Sequence, residues 1–337
     1  NVAEKKLSIT GGVGASHQGE AYGGNFDLPN HPYNETCAAI ANIYWNHRMF
    51  LLHGDAKYID VLERSLYNGV ISGLSLDGIL FFYPNTLQHD GEATFNQGVN
   101  GRSPWFDCSC CPSNLSRFVP SVAGYAYASK GKDLYVNLFM NSDVSLSAGG
   151  EMLTLSQRSN YPWDGNIKLQ INSEESIDAT IHIRIPGWAL GLAVPSDLFR
   201  FLDKQEERPS LQVNGKDIEL QIEKGYIGIR RDWKKGDVIN LSLPMKDRKI
   251  VAHEKVSAKE GLTAVQYGPI VYCAEEIDNK QDVLQARINE NSQFEARYES
   301  GLLGGVNMLR GDQLNLVPYY AWANRGAGKM NVWFNSN

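Results

Sequence analysis

Hydrophobic residues in the first third of the chain recur at helical spacing and predict a pair of helices. Residues 35–53 carry an apolar face that ends at Gly54, a residue type that commonly terminates helices. Asp55 is the predicted N-cap of the next helix. The apolar face of that second helix consists of Tyr58, Leu62, Leu66 and Val70. The short connection between the two patterns predicts a helical hairpin.

A third helical pattern follows Pro112, is broken or kinked at Pro120, and ends near Lys130. Segment 1–34 is rich in glycine and polar residues and is interpreted as a loop region that carries function. Two or three helices with such apolar faces cannot bury those faces in an all-helical domain of their own. We expect them to pack on the rest of this chain or on helices upstream of residue 1.

From residue 131 onward, short runs of alternating apolar and polar residues predict β-strands. The predicted strands cover residues 133–140, 144–146, 167–171, 180–185, 211–213, 227–229, 238–243 and 264–273. Glycine-containing steps such as Asn214-Gly215 and Lys224-Gly225 supply the turns. We therefore predict an α+β multi-domain protein, with a helical region at 1–130 and antiparallel β-sandwich structure at 131–337. A second sandwich is expected over roughly 175–260.

The composition is that of a globular protein, since 42% of the 337 residues are hydrophobic and 21% are charged. The net charge of −6, without a basic cluster longer than Arg230-Arg231, argues against a nucleic-acid partner. No apolar run reaches the ~20 residues that span a bilayer, so no membrane partner is predicted. The first residues lack an initiator methionine and are expected to follow a removed segment or a larger missing portion. The compartment (bacterial periplasm or cytoplasm) and the existence of a homodimer are left open.

Four of the five cysteines belong to two short motifs that also carry a carboxylate. Cys37 lies two residues after Glu35, and Cys108, Cys110 and Cys111 occur in the run Asp107-Cys-Ser-Cys-Cys-Pro112. Thiolates together with a carboxylate form a ligand set suited to Zn²⁺. Adjacent cysteines do not easily form two ordinary disulfides, which favours a metal or free thiols. Three interpretations stay open: a closed structural zinc site, free buried cysteines, or a reaction centre with an activated thiolate.

Local geometry limits how these residues reach a single ion. Side chains at i and i+2 of an α-helix point about 200° apart. Glu35 and Cys37 therefore fit one metal only if this stretch is extended and the helix begins just after it. Cys110 and Cys111 precede Pro112, which suits the first turn of a helix, where the helix dipole favours a thiolate.

Glu20 follows His17-Gln18-Gly19 in the glycine-rich loop. A carboxylate in such a loop is either a solvated charge or, beside a reaction centre, a general acid. Cys273 ends an apolar strand and is interpreted as an inert buried thiol.

Motifs along essentially the whole chain resemble glycoside hydrolase family 127 and its relative family 146, the β-L-arabinofuranosidase group. They include Gly19-Glu20-Ala21-Tyr22, Tyr33-Asn34-Glu35-Thr36-Cys37-Ala38, Phe82-Tyr83-Pro84-Asn85, Trp105-Phe106-Asp107-Cys108-Ser109-Cys110-Cys111-Pro112, Arg184-Ile185-Pro186-Gly187-Trp188 and Pro318-Tyr319-Tyr320-Ala321-Trp322-Ala323-Asn324. The resemblance implies a zinc site held by one glutamate and three cysteines, which match Glu35, Cys37, Cys110 and Cys111.

The same resemblance implies a retaining glycoside hydrolase that releases β-L-arabinofuranose from plant cell-wall glycans. Cys110 matches the family's nucleophile and Glu20 its general acid/base, for which partial burial is expected. Tyr83 matches a tyrosine near the sugar, and His17, in the Glu20 loop, is a further candidate substrate contact. Glu35 is the rival candidate for the nucleophile.

The family's catalytic domain is an (α/α)6 barrel followed by β-sandwiches, and this chain supplies only the C-terminal part of such a barrel. Because upstream residues also line the family's sugar pocket, the chain by itself is expected to be inactive. Two alternatives remain: a related exo-glycosidase acting on another pectic sugar, and a non-catalytic, zinc-stapled carbohydrate-binding or scaffold fragment.

Overall fold

The computed structural model describes residues 1–336. The α-helices in that range are α1 (Val2–Lys5), α2 (Thr36–His53), α3 (Ala56–Arg64) and α4 (Cys110–Phe118). The strands are β1 (Gln88–Asp90), β2 (Tyr127–Lys130), β3 (Asp133–Val136), β4 (Ser142–Ala148), β5 (Glu151–Ser159), β6 (Asn166–Ile171), β7 (Ile177–Arg184), β8 (Phe199–Phe201), β9 (Ser210–Val213), β10 (Lys216–Asp217), β11 (Tyr226–Trp233), β12 (Val238–Ser242), β13 (Asp247–Ala252), β14 (Leu262–Tyr267), β15 (Ile270–Glu275), β16 (Glu295–Glu299), β17 (Val306–Arg310), β18 (Asn315–Pro318), β19 (Lys329–Asn331) and β20 (Phe334–Asn335). A π-helical turn, Ser65–Val70, extends α3.

The helical hairpin forms as the sequence predicts, because its capping residues act locally. Gly54 adopts the left-handed conformation (φ 60°) that ends α2, and its N–H donates to the carbonyl of Phe50. The Asp55 carboxylate then accepts a hydrogen bond from the backbone N–H of Lys57 (3.0 Å), which caps α3. Both predicted boundaries are confirmed.

Two predicted elements have different boundaries in the structure. The third helix does not continue to Lys130: α4 ends at Phe118, the turn that contains Pro120 is a short 3-10 segment, and β2 follows. β2 instead pairs antiparallel with β3 at the edge of a sheet. The single strand predicted at 264–273 is a hairpin of β14 and β15, because Gly268 (φ 54°) and Pro269 reverse the chain.

The strands among residues 1–336 form three sheets. The ten-stranded sheet follows the path β16-β17-β18-β15-β14-β13-β8, with β1, β19 and β20 attached to it. The six-stranded sheet has the order β10-β9-β12-β6-β5-β4, and the four-stranded sheet has the order β11-β7-β3-β2. The purely antiparallel prediction is wrong at one place, since β3 pairs with β7 in parallel. That pairing needs a crossover, which β4, β5 and β6 of the neighbouring sheet provide.

The helices pack partly on the sheets of this chain. Ile43 of α2, Leu62 of α3 and Phe118 of α4 share a buried cluster with Leu138 and Tyr226 from the sheet region. Within residues 1–336, the outer face of α2 has no such cover: Trp45 is 64% exposed and Leu52 is 76% exposed. Over the described part of the chain, we find no helix with the length and apolar character needed to cross a bilayer.

A buried ion pair fixes α3 on the four-stranded sheet. The guanidinium of Arg184, fully shielded from solvent, pairs with Asp60 (2.7 Å) and with Glu63. The Tyr161 hydroxyl donates to the same Glu63 carboxylate (2.8 Å). Removing one partner of a buried pair leaves an uncompensated charge, so this contact holds the helical region and the sheet in one arrangement.

Candidate active site

Three thiols and one carboxylate converge at the point where α2 and α4 begin. One ligand atom from each of Glu35, Cys37, Cys110 and Cys111 lies within 4.8 Å of the others. We call these four residues the cysteine cluster. The Cys110 sulfur lies 3.7 Å from that of Cys37 and 3.8 Å from that of Cys111. Glu35 Oε1 lies 3.5 Å from the sulfurs of both Cys110 and Cys111.

The helix N-termini place these side chains. Glu35 is the last residue before α2 and has extended backbone angles (φ −59°, ψ 136°), whereas Cys37 is the second residue of the helix. The extended stretch predicted through Cys37 is therefore wrong, because a helix that begins between the two residues already turns both toward one point. Cys110 and Cys111 open α4, with Pro112 third, as the sequence predicts.

The separations within the cluster fit a tetrahedral metal shell. With Zn–S bonds of about 2.3 Å, two sulfurs of one tetrahedron lie about 3.8 Å apart, and a sulfur and an oxygen lie slightly closer. The distances given above match these edges. A donor set of three sulfurs and one carboxylate oxygen also has the softness that suits zinc rather than magnesium or calcium. The four residues can therefore hold a metal ion.

The protein groups alone disfavour several negative charges in this cluster. A hydrogen bond from Cys111 lowers the pKa of Cys37 to about 7. Burial raises the pKa of Cys110 to about 12, and the hydrogen bond to Cys37 together with burial raises the pKa of Cys111 far above its usual range. Burial and the nearby Glu20 charge raise the pKa of Glu35. A bound cation would lower the pKa values of all four residues, because it stabilises each ligand in its charged form.

Tyr83 closes one side of the cluster. Its Oη lies 2.8 Å from the sulfur of Cys110, and its ring meets the edge of Phe106 at 5.6 Å. Burial raises the pKa of Tyr83 well above its usual value. The Cys108 sulfur lies 3.9 Å from the same hydroxyl, but Cys108 is exposed and does not belong to the four-residue cluster.

The Glu20 loop approaches the cluster through Tyr33. The Tyr33 hydroxyl donates to Glu20 Oε1 (3.1 Å) and accepts from Gln97 Nε2 (3.2 Å). The His17 ring meets the edge of Tyr33 at 4.9 Å. The partial burial expected for Glu20 is not found: the residue is exposed and occupies a left-handed turn (φ 51°) directly after Gly19.

Two residues that contact the site, Tyr33 and Asn114, were not predicted from the sequence to have a role there. Tyr33 joins Glu20 to the cluster, since its ring also lies 6.2 Å from that of Tyr83. Its position two residues before Glu35, in the same motif, was the available signal. Asn114 hydrogen-bonds Cys37 and lowers its pKa, and it lies one helical turn after Cys111 on α4. A polar residue at that spacing from a thiol could have been singled out.

Three family models match the chain in succession. The model described as the GH127 catalytic domain of β-L-arabinofuranosidase matches residues 1–124. The GH127 middle-domain model matches residues 133–245. The model of the glycoside hydrolase family 127 C-terminal domain matches residues 248–335.

Curated and solved relatives agree with these models. A non-reducing end β-L-arabinofuranosidase from Bifidobacterium longum subsp. longum is 32% identical over 99% of this chain and 54% of its own length. A solved GH127 β-arabinofuranosidase superposes with a TM-score of 0.96 at 46% identity, over 100% of this chain and 55% of its own. A GH127 β-L-arabinofuranosidase from Geobacillus stearothermophilus T6 gives a TM-score of 0.90 at 38% identity, again over 55% of its length. The chain thus spans about half the length of these relatives, and it belongs to glycoside hydrolase family 127.

Proposed function

We propose that the protein containing this chain is a retaining glycoside hydrolase that releases β-L-arabinofuranose from plant cell-wall oligosaccharides. The observation that carries the proposal is the cysteine cluster, whose four ligand atoms lie within 4.8 Å of one another. Membership in a family whose relatives are named β-L-arabinofuranosidases supports β-L-arabinofuranose as the sugar that is released.

Glu35, Cys37, Cys110 and Cys111 would hold Zn²⁺, which would supply the positive charge that keeps the sulfurs deprotonated at neutral pH. Cys110 is the proposed nucleophile, because its sulfur is half-buried and lies 2.8 Å from the Tyr83 hydroxyl. That hydroxyl can donate a hydrogen bond to the charged sulfur and orient it. Cys111 is fully buried, which suits a ligand that does not react.

The reaction would proceed by two displacements at the anomeric carbon. In the first, the Cys110 sulfur forms a bond to C1 while the C1–O bond breaks, and Glu20 gives its proton to the departing oxygen. In the second, Glu20 takes a proton from water as the water oxygen attacks C1 and the C–S bond breaks. Two inversions leave the configuration of the sugar unchanged, and both Cys110 and Glu20 return to their starting states.

We propose that residues 1–130, apart from strand β2 at their end, belong to the last part of an (α/α)6 barrel. Residues 131–337, of which 337 lies outside the described residues, would form β-sandwich structure, with a second sandwich over roughly 175–260. The apolar face of α2 supports the barrel, since Trp45, Leu51 and Leu52 are all more than half exposed. Further helices of a longer protein would cover this face and complete the sugar pocket. The exposure of Glu20 supports the same conclusion. The chain on its own would bind metal without turnover.

The test compares this chain with the full-length protein on p-nitrophenyl β-L-arabinofuranoside. We expect release of p-nitrophenol by the full-length protein only, and anomalous X-ray scattering at the zinc edge from both. NMR of the first-formed sugar should detect the β-anomer. Formation of the inverted anomer, or full activity after complete metal removal, would contradict the proposal.

A further inference from the structure

The residue before Tyr83 is held by an aromatic and a cationic contact. The Arg102 guanidinium carbon lies over the Phe82 ring, 4.1 Å from the ring centroid. Trp322 stacks on the same ring, with centroids 4.9 Å apart and an interplanar angle of 18°. Phe82 and Trp322 are both fully buried. We call these three residues the Phe82 stack.

The backbone around the stack is also tied to the segment that carries Trp322. Arg102 donates to the carbonyls of Ser72 (2.8 Å) and Trp322 (3.1 Å). The Tyr319 hydroxyl donates to the carbonyl of Thr86 (2.8 Å), four residues beyond Phe82. The chain from Phe82 to Thr86 is therefore clamped at both ends by residues that lie well over 200 positions away in sequence.

Tyr83 points the opposite way, toward the cysteine cluster. Its hydroxyl lies 2.8 Å from the Cys110 sulfur, while its backbone N–H donates to Asn96 Oδ1 (2.8 Å). Its carbonyl accepts from the N–H of Thr36 (3.0 Å), the first residue of α2. Phe82 and Tyr83 pack in different hydrophobic clusters, and because they are adjacent in the chain, a shift of the backbone at Phe82 also displaces Tyr83.

We propose that Trp322 is a positioning residue of the active site: through Phe82 it sets the distance between the Tyr83 hydroxyl and the Cys110 sulfur. The C-terminal domain (residues 248–335), which carries Trp322, would then contribute to the geometry of the catalytic centre. The inference rests on the proposed function, because it assigns a role to Trp322 in the reaction that Cys110 performs.

Two contacts of Trp322 go beyond what simple core packing requires. Trp322 stacks on Phe82, and its own carbonyl accepts a hydrogen bond from the Arg102 guanidinium that lies over the same ring. Within residues 1–336 its indole N–H has no acceptor, so the ring acts here as a flat surface rather than as a donor. A phenyl ring at position 322 would keep that surface, whereas a branched aliphatic side chain would not.

The experiment uses the full-length protein with Trp322→Leu, Trp322→Phe and a matched control, Trp233→Leu. Trp233 is equally buried but lies on β11, where its indole donates to Ala179. For p-nitrophenyl β-L-arabinofuranoside, we expect Trp322→Leu to lower kcat on the order of 10- to 100-fold with little change in KM, because misplacement of catalytic groups acts on the chemical step. Trp322→Phe should restore most of kcat, and Trp233→Leu should lower stability without this loss.

Hydrogen exchange at the amides of Thr36 and Tyr83 gives a readout that does not depend on turnover. Trp322→Leu should accelerate exchange at both amides, and Trp233→Leu should not. Equal losses of kcat in the two leucine variants, or unchanged exchange and kcat in Trp322→Leu, would overturn the inference. If Trp322→Leu does not fold, Arg102→Met removes the cationic contact with Phe82, and the same criteria apply to that variant.

The two readouts separate the inference from the proposed function. A wild-type protein that leaves the substrate intact would contradict the proposed function. In that case the exchange rates at Thr36 and Tyr83 still decide whether Trp322 positions the segment: acceleration confined to the Trp322 variant supports the inference, and its absence overturns it.

Discussion

The cysteine cluster and the Glu20 loop form two sides of the proposed active site, and they differ in how they are held. Cys111 is fully buried and Glu35 is only 9% exposed. Tyr83, which contacts the cluster, follows Phe82, and Phe82 is held by the Phe82 stack. Glu20 instead lies on an exposed turn, where Tyr33 contacts its carboxylate. The side that carries the proposed nucleophile is therefore buried and held by contacts within this chain, whereas the side that carries the proposed acid/base is exposed.

The largest expected effect comes from the nucleophilic side. Cys110→Ala in the full-length protein should lower kcat by at least on the order of 10³-fold, because the proposed nucleophile is removed. Cys108→Ala is the matched control, since Cys108 lies two residues away and outside the cluster. Steady-state rates on the aryl glycoside measure both variants. Comparable losses in the two would remove the distinction between Cys110 and its neighbour.

On the acid/base side, the effect should depend on the leaving group. Glu20→Gln should slow substrates with poor leaving groups by about 10²- to 10⁴-fold, because they need protonation of the departing oxygen. An activated aryl glycoside should retain much of its first-step rate. Plots of rate against the pKa of the leaving group test this prediction. An equal loss for all leaving groups would assign Glu20 a role other than proton transfer.

Metal removal should affect the isolated chain as well as the full-length protein. With metal at about 100 times its Kd, chelation should lower the free energy of unfolding by about 3 kcal/mol. Cys37→Ala should abolish both metal binding and the response to chelator, whereas Cys108→Ala should keep both. Thermal unfolding with elemental analysis measures these effects. An unchanged response in Cys37→Ala would show that the ion binds elsewhere.

The smallest effect concerns Lys259, which anchors the stretch between Glu20 and Glu35. Its Nζ donates to the carbonyl of Pro29 (3.1 Å) and to the Asn30 side chain, and burial lowers its pKa to about 7 from 10.5. Because the folded state then binds fewer protons than the unfolded state between these values, stability should rise with pH from about 7 toward 10.5.

Lys259→Met should flatten that rise, which we expect to be about 2 kcal/mol between pH 7 and 9. Lys255→Met, at an exposed lysine four residues earlier, is the control and should keep it. Denaturant unfolding of the isolated chain at several pH values provides the measurement. An equal slope in the wild-type chain and in Lys259→Met would contradict this assignment.

The parts of the fold with local signals could be predicted from the sequence. Asp55 and Gly54 mark the helical hairpin because caps act within a few residues. Strand β5 was missed because one of its three buried positions is the polar Gln157, which leaves only Leu153 and Leu155 as an apolar signal. The parallel pair of β3 and β7 depends on a distant crossover, which no local pattern reveals.

In the candidate site, too, local motifs could be predicted from the sequence and long-range contacts could not. The motifs around Cys37 and Cys110 indicate a metal site from residue type and spacing, and the family resemblance supplied the roles. Contacts made across the fold could not be predicted this way. Trp322 reaches Phe82 and Lys259 reaches Pro29 from more than 200 residues away, and an isolated tryptophan or lysine carries no sign of its partner.

The most direct test of the account is to trap the glycosylated enzyme. The full-length protein is quenched with acid during turnover of p-nitrophenyl β-L-arabinofuranoside, and its peptides are mapped by mass spectrometry. We predict one added pentosyl group on the peptide that contains Cys110, with fragmentation that assigns it to that sulfur. A pentosyl group on Glu35, with Cys110 unmodified, would contradict the account.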